Sequence, residues 1–140
     1  MAQKDGLELL LRSLSPAILD GKYCIGTFDE AQMMGLAGYL KYIVGIFRER
    51  EGITAIFSEE AQESLSVYTS TKIQGGFALI TLDVISPLLS VGLLARVTEA
   101  LAKEKIPVNA FSGYYHDHLL VPYDKRASAL SALKKLQKSA

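Results

Sequence analysis

The sequence predicts an α+β protein in which helices return to one face of largely antiparallel sheets. Two observations predict this class. After Gly75 and Gly76 the hydrophobic pattern alternates as strand, helix, strand, strand and helix, and a looser version of the same alternation precedes them. The chain has 140 residues, of which 49% are hydrophobic, which is enough for one ordinary domain or two very small ones. Two ferredoxin-like units side by side would account for this length.

The second half has the clearer pattern. A nearly continuous apolar run over residues 77–84 predicts a strand covered on at least one face. A helix is expected over residues 90–104, because Leu94, Val97 and Leu101 recur at helical spacing. Strands are expected over 107–112 and 119–122, and a final helix begins near Asp124.

The first half begins with a helix, since Leu7, Leu10, Leu11 and Leu14 share one helical face. Strands are expected over 22–28 and 52–57, and a short helix follows the second of them. Residues 29–45 contain three glycines and are interpreted as a loop with a helical turn. We therefore divide the chain into residues 1–75 and 76–140. We predict that these halves form one cooperative unit, because each has too small a core to fold alone.

The charge composition of the chain limits the classes of partner that it is expected to bind. Fifteen basic residues balance fifteen acidic ones, so the sequence predicts binding to neither nucleic acid nor an anionic membrane. Zero net charge also leaves self-association unopposed, and we expect a homodimer or a higher homo-oligomer. Cys24 is the only cysteine, which excludes an internal disulfide and indicates the reducing cytoplasm. The most apolar stretch is interrupted by Asp83, Ser86 and Pro87, so no membrane span is predicted.

Four stretches together have a recognisable pattern: Ser15-Pro16 followed by Asp20-Gly21-Lys22-Tyr23, then residues 47–54 (FREREGIT), 90–95 (SVGLLA) and 113–122 (GYYHDHLLVP). They resemble a family of small tandem ACT-domain proteins, related to the regulatory domains of aspartokinases, and the likeness spans about residues 7–137. The resemblance implies an ACT fold that senses a small ligand, expected to be an amino acid, without catalysis or a cofactor. It also implies that certain motif residues are structural: Gly52, Gly113, Tyr114, Tyr115, His116, Asp117 and His118.

The loop between the central strand and its helix is the best candidate binding site. Free N–H groups at the start of a helix attract a carboxylate, and Gly92 would let a ligand approach closely. Our candidates here are Ser86, Ser90, Val91 and Gly92, although Gly92 would equally permit tight packing of helix on sheet. The resemblance adds Asn109 on the facing strand.

Arg48 is a further candidate, because a guanidinium pairs well with a ligand carboxylate. The alternative for Arg48 is a solvated strand edge that discourages aggregation.

A different hypothesis is a small metal-dependent hydrolase or lyase centred on His116 and His118. In a strand these residues would face the same side, but two ligands are too few for a closed zinc site. Ser112, His116 and Asp117 could form a nucleophilic relay, but their spacing does not match a hydrolase elbow. We therefore predict neither a metal site nor catalytic residues, and expect Asp117 to organise the turn.

Overall fold

The computed structural model describes residues 2–140, with side chains from residue 6 onward. The chain divides into two compact units. One unit is the segment Gly21–Phe77, and the other combines the N-terminal segment through Asp20 with Ala78–Ala140. The division into residues 1–75 and 76–140, and the cooperativity of the two halves, stay predictions.

The helices of the described residues are α1 (Ala2–Arg12), α2 (Met33–Ala37), α3 (Gln62–Ser66), α4 (Leu93–Lys103) and α5 (Arg126–Ser139). The strands are β1 (Pro16–Ile18), β2 (Tyr23–Phe28), β3 (Ile43–Glu49), β4 (Gly52–Ser58), β5 (Gln74–Leu82), β6 (Asn109–Ser112) and β7 (Asp117–Pro122). None of the helices within residues 2–140 is both long enough and apolar enough to cross a membrane.

The unit Gly21–Phe77 follows the order β2-α2-β3-β4-α3 and ends in the first residues of β5. Its strands form an antiparallel sheet in the order β3-β4-β2-β5. Cys24 lies in its core, and burial raises the pKa of the thiol, with Glu59 contributing in the same direction. Cys24 is thus a buried residue of strand β2. Its fully buried neighbours include Phe57, Leu36 and Leu65.

Residues 29–45 differ in part from the sequence interpretation. Helical turns are present over Glu30–Gln32 and Met33–Ala37, as expected, but the loop assignment is wrong from Ile43 onward, where β3 begins. The reason is that β3 lies at the sheet edge, carries a register shift between Ile43 and Gly45, and leaves most of its residues exposed. An exposed, irregular edge strand lacks the regular alternation on which a sequence assignment depends.

The second unit has the same β-α-β-β-α-β order, but its last strand comes from the start of the chain. β5, α4, β6, β7 and α5 follow one another, and β1 pairs antiparallel with β5, placing Pro16 opposite Leu82 and Ile18 opposite Ile80. β7 adjoins β5, and β6 pairs with β7. The predicted strands and helices of this part are present, whereas β1, only three residues long, was not predicted.

The core of this unit joins α1 to the helices of the second half. Leu11 and Leu14 are completely buried with Leu93, Val97 and Leu101. The leucine face predicted for the first helix is thus packed in the unit built mainly from Ala78–Ala140. Because α1 and β1 both belong to this unit, residues from the two ends of the chain make one core.

Candidate functional site

A cavity of about 160 Å³ lies where the loop between β5 and α4 meets the turn between β6 and β7. The loop contributes Ser86, Pro87, Leu88, Ser90 and Gly92 to its walls. The remaining walls come from the first turn of α4 and from Ser112, Gly113 and Asp117. Three predicted ligand-binding residues, Ser86, Ser90 and Gly92, therefore lie around one cavity.

The first turn of α4 forms the positive side of this cavity. Gly92 is the N-cap residue, with φ of +102°, and as a glycine it has no side chain to cap the helix. The first helical hydrogen bond runs from the Arg96 N–H to the Gly92 carbonyl, at 3.0 Å. The amides of Leu93, Leu94 and Ala95 consequently lack an acceptor within the helix, which makes this end attractive to an anion.

A buried carboxylate forms the opposite side. Asp117 is only 9% exposed, although it lines the cavity. The Ser112 hydroxyl donates a hydrogen bond of 2.7 Å to Asp117 Oδ1, and the Gly113 N–H donates to the His116 carbonyl at 2.8 Å. These bonds hold the β6–β7 turn. A carboxylate has further acceptor positions, so Asp117 can bind a cationic group as well.

Two family matches, both for the ACT domain, cover residues 4–72 and 74–135. The chain is a tandem ACT-domain protein. The tandem ferredoxin-like ACT fold predicted from the sequence is confirmed. A search of curated proteins found no match.

Solved structures agree with this family. A protein of unknown function from Vibrio cholerae, described as a possible transport protein, is 37% identical, with a TM-score of 0.75, and the match covers 96% of this chain and 98% of that one. Aspartokinase α and β subunits share 14% identity (TM-score 0.70; 89% and 97% coverage). The regulatory subunit of aspartate kinase from Thermus thermophilus shares 11% identity (TM-score 0.67; 86% and 95% coverage). This ACT protein therefore shares its fold with the aspartokinase regulatory domains.

The two histidines of this ACT protein contact β5 and the residues that follow it. His118 Nδ1 is 3.0 Å from Thr81 Oγ1, and the imidazole stacks on Phe111 with 5.3 Å between ring centroids. His116 Nδ1 is 3.4 Å from the Val84 carbonyl oxygen. Neither histidine lines the cavity. Through the part of the chain that the structure describes, no group of three His, Cys, Asp or Glu residues is placed to hold a metal ion.

The relay considered for Ser112, His116 and Asp117 is not assembled. The Ser112 hydroxyl donates to Asp117, and His116 is directed to the Val84 carbonyl and, at 3.9 Å, to Asp83 Oδ1. A nucleophilic serine needs a base that accepts its proton and is oriented by a third group. Asp117 instead accepts the hydrogen bond from Ser112 across the β6–β7 turn.

Other candidates lie away from the cavity. Asn109 is exposed on β6 opposite Leu120, and is not among the residues that line the cavity. Val91 lines a separate groove that the loop forms with α1. Arg48 belongs to the unit Gly21–Phe77, where it forms an exposed ion pair with Glu30. Their binding roles stay predictions.

The remaining motif residues, Tyr114, Tyr115 and Gly52, do not line the cavity. Tyr114 and Tyr115 are exposed in the β6–β7 turn, with ring centroids 4.8 Å apart. Gly52 begins β4 with φ of +154°, and a Cβ atom there would lie 2.7 Å from the Phe28 carbonyl oxygen. Only glycine fits such an approach without displacement of the backbone.

Sequence reasoning missed part of the cavity wall. It named the loop, but it did not place Leu94, Ala95 and Asp117 at a binding site. The one local signal was Asp117 itself, an acidic residue at the start of an apolar strand. Ionised side chains are seldom buried without a partner, so such a residue indicates a polar site.

His118 should make stability depend on pH. Burial lowers the pKa of His118 below its ordinary value of 6.5, the neighbouring His116 lowers it further, and Asp117 opposes the shift. The unfolded chain therefore binds the proton first, so the free energy of unfolding should fall as pH drops below about 6.5 and level off below the folded-state pKa. We expect His118→Gln to reduce this decline, measured by urea unfolding from neutral to mildly acidic pH. An unchanged decline in the variant would contradict this assignment.

Proposed function

We propose that this tandem ACT protein is a non-catalytic regulatory module that binds an α-amino acid in the cavity between the β5–α4 loop and the β6–β7 turn. One observation carries the proposal: the cavity has opposite electrostatic character on its two sides. The amides of Leu93, Leu94 and Ala95 lie on one side, and the buried carboxylate of Asp117 lies on the other.

A zwitterion complements this arrangement. An α-carboxylate would accept hydrogen bonds from the free amides at the start of α4, where the helix dipole adds to the attraction. The α-ammonium group would pair with Asp117 through Oδ2, because the Ser112 hydroxyl donates its hydrogen bond to the other oxygen, Oδ1. Asp117 has already lost most of its contact with water, so its interaction with an ammonium group is weakly screened.

The alternative, a metal-dependent hydrolase or lyase centred on His116 and His118, is not favoured. Both imidazoles are directed to Thr81 and Val84 instead of to a common point with carboxylates. The family and its solved relatives are regulatory or of unknown function, which supports a binding role.

A thermal-shift screen against the L-amino acids tests the proposal. We expect at least one amino acid to raise the melting temperature, because a ligand present at about 100 times its Kd adds roughly 2.7 kcal/mol to the free energy of unfolding. Asp117→Asn should reduce binding strongly, since it removes the charge that pairs with the ammonium group while it keeps an oxygen that can accept from Ser112.

The matched control is the deaminated analogue of the amino acid that binds, a 2-hydroxy acid with the same side chain. The parent should prefer the amino acid, and Asp117→Asn should lose that preference. If no amino acid shifts the parent, or if Asp117→Asn keeps the preference, the proposed binding mode is wrong.

We also infer a homo-oligomer in the cytoplasm. The absence of net charge leaves association between copies unopposed, and the single, buried Cys24 suits a reducing compartment.

A further inference from the structure

The size of the cavity between the β5–α4 loop and the β6–β7 turn limits the side chain of its ligand. The volume of the cavity is about 160 Å³. A cavity of about 150 Å³ is sufficient to hold benzene, so this one has room for about six or seven non-hydrogen atoms. The ammonium group, Cα and carboxylate that all α-amino acids share fill most of that room. The remaining space suits a short side chain and is too small for an aromatic or a long aliphatic one.

The charge of the wall limits the side chain further. Asp117 is the only acidic or basic residue among the described residues that line the cavity. An acidic side chain would find no cation to pair with and would be repelled by Asp117. A basic side chain would compete with the α-ammonium group for the same carboxylate. Because a charge that leaves water without a partner is strongly disfavoured, the wall favours an uncharged side chain.

Two serine hydroxyls lie on the wall that the charged ends of an amino acid do not use. Ser86 is half-buried and Ser90 is exposed, and both line the cavity. The Ser112 hydroxyl donates to Asp117, whereas those of Ser86 and Ser90 make no hydrogen bond with any residue that the structure describes. A hydroxyl both donates and accepts, so each of these serines can bind a hydroxyl group of a ligand.

We propose that the cavity selects a small amino acid with a hydroxylated side chain, and that Ser86 and Ser90 determine this specificity. The inference rests on the proposed function, because the loop is left for the side chain only when the carboxylate lies at the start of α4 and the ammonium group at Asp117. Ser86 and Ser90 both keep contact with water. The preference for a hydroxyl over a methyl group should therefore be that of one net hydrogen bond, about three- to tenfold in Kd.

Isothermal titration calorimetry of the parent protein with five L-amino acids tests the selection. We expect serine to bind most tightly and alanine about three- to tenfold more weakly. Leucine should bind more weakly than alanine because of its size, and aspartate and lysine because of their charge. A leucine, aspartate or lysine complex tighter than that of serine would overturn the selection.

A double variant tests the two serines. We expect Ser86→Ala combined with Ser90→Ala to bring the ratio of the serine and alanine affinities close to one. The matched control is Ser128→Ala combined with Ser131→Ala, because both of these serines are exposed on α5 and do not line the cavity. The control should keep the preference of the parent. A preference that survives in the Ser86 and Ser90 variant would overturn their assignment as specificity residues.

The outcomes separate this inference from the proposed function. A parent that prefers an amino acid to its 2-hydroxy analogue, but does not prefer serine to alanine, would overturn the selection and leave the proposed binding mode standing. A parent that binds none of the amino acids would overturn both.

Discussion

Residues 76–140 expressed alone should give a poorly folded or aggregating product. The fragment lacks α1 and β1, which belong to the same compact unit. Leu11 and Leu14 are fully buried in its core, and β1 pairs with β5. Burial of each leucine contributes about 1.5–3 kcal/mol, and the total stability of a domain is only about 5–15 kcal/mol. Loss of these two residues and of a strand should therefore abolish cooperative unfolding, as measured by circular dichroism and size-exclusion chromatography.

A rearranged chain is the control for this experiment. Residues 78–140 followed by a flexible linker and residues 2–20 restore the missing helix and strand, so this chain should be more ordered than the fragment. A fragment 76–140 that is monomeric and melts cooperatively would show that α1 and β1 are dispensable.

Gly92→Val should destabilise the protein far more than Gly38→Ala. Gly92 has φ of +102°, and a Cβ atom there would lie 3.0 Å from Leu7 Cδ2. A β-branched residue in this backbone region costs of order 1–3 kcal/mol before any contact is counted. We therefore expect a loss of about 2 kcal/mol or more and a melting temperature lower by roughly 5–10 °C. The substitution should also weaken amino-acid binding, because Gly92 precedes the amides that face the cavity.

Gly38 is a suitable comparison because its backbone is right-handed, with φ of −67°. A Cβ atom there would meet only the Gly35 carbonyl oxygen, at 3.5 Å, which is ordinary contact. Gly38→Ala should change the free energy of unfolding by no more than about 0.5 kcal/mol. Equal melting temperatures for the two variants, together with equal ligand binding, would show that Gly92 has no special role.

Hydrophobic periodicity predicted the elements that have a buried face. The strand beginning near Phe77, the helix containing Val97 and Leu101, and the first helix with its leucine face are all present. Each contributes a regular set of apolar residues to a core, and such regularity is visible in a single sequence. Where the core does not impose this regular apolar pattern, the prediction of strands from the sequence failed. β3 is an exposed edge strand with an irregular register, and β1 has three residues.

The candidate site was predicted only in part for a similar reason. The glycine before α4 and its polar neighbours indicated an anion-binding loop, and Ser86, Ser90 and Gly92 do line one cavity. The other wall depends on β7 lying beside β5, which carries Asp117 to the end of the strand that precedes the loop. Strand pairing between distant segments has no local sequence signal, so the sequence could indicate Asp117 as a polar position but not that it faces the start of α4.

The sequence by itself determined the class of this protein. Its alternation of strands and helices indicated an α+β fold, and the stretch from Gly113 to Pro122 indicated the tandem ACT family. Only the tertiary structure decided that the first twenty residues complete the unit formed by Ala78–Ala140, and that a buried acid faces the start of α4. The physical reason is that periodicity reports which face of an element is buried, whereas long-range packing decides which elements bury it.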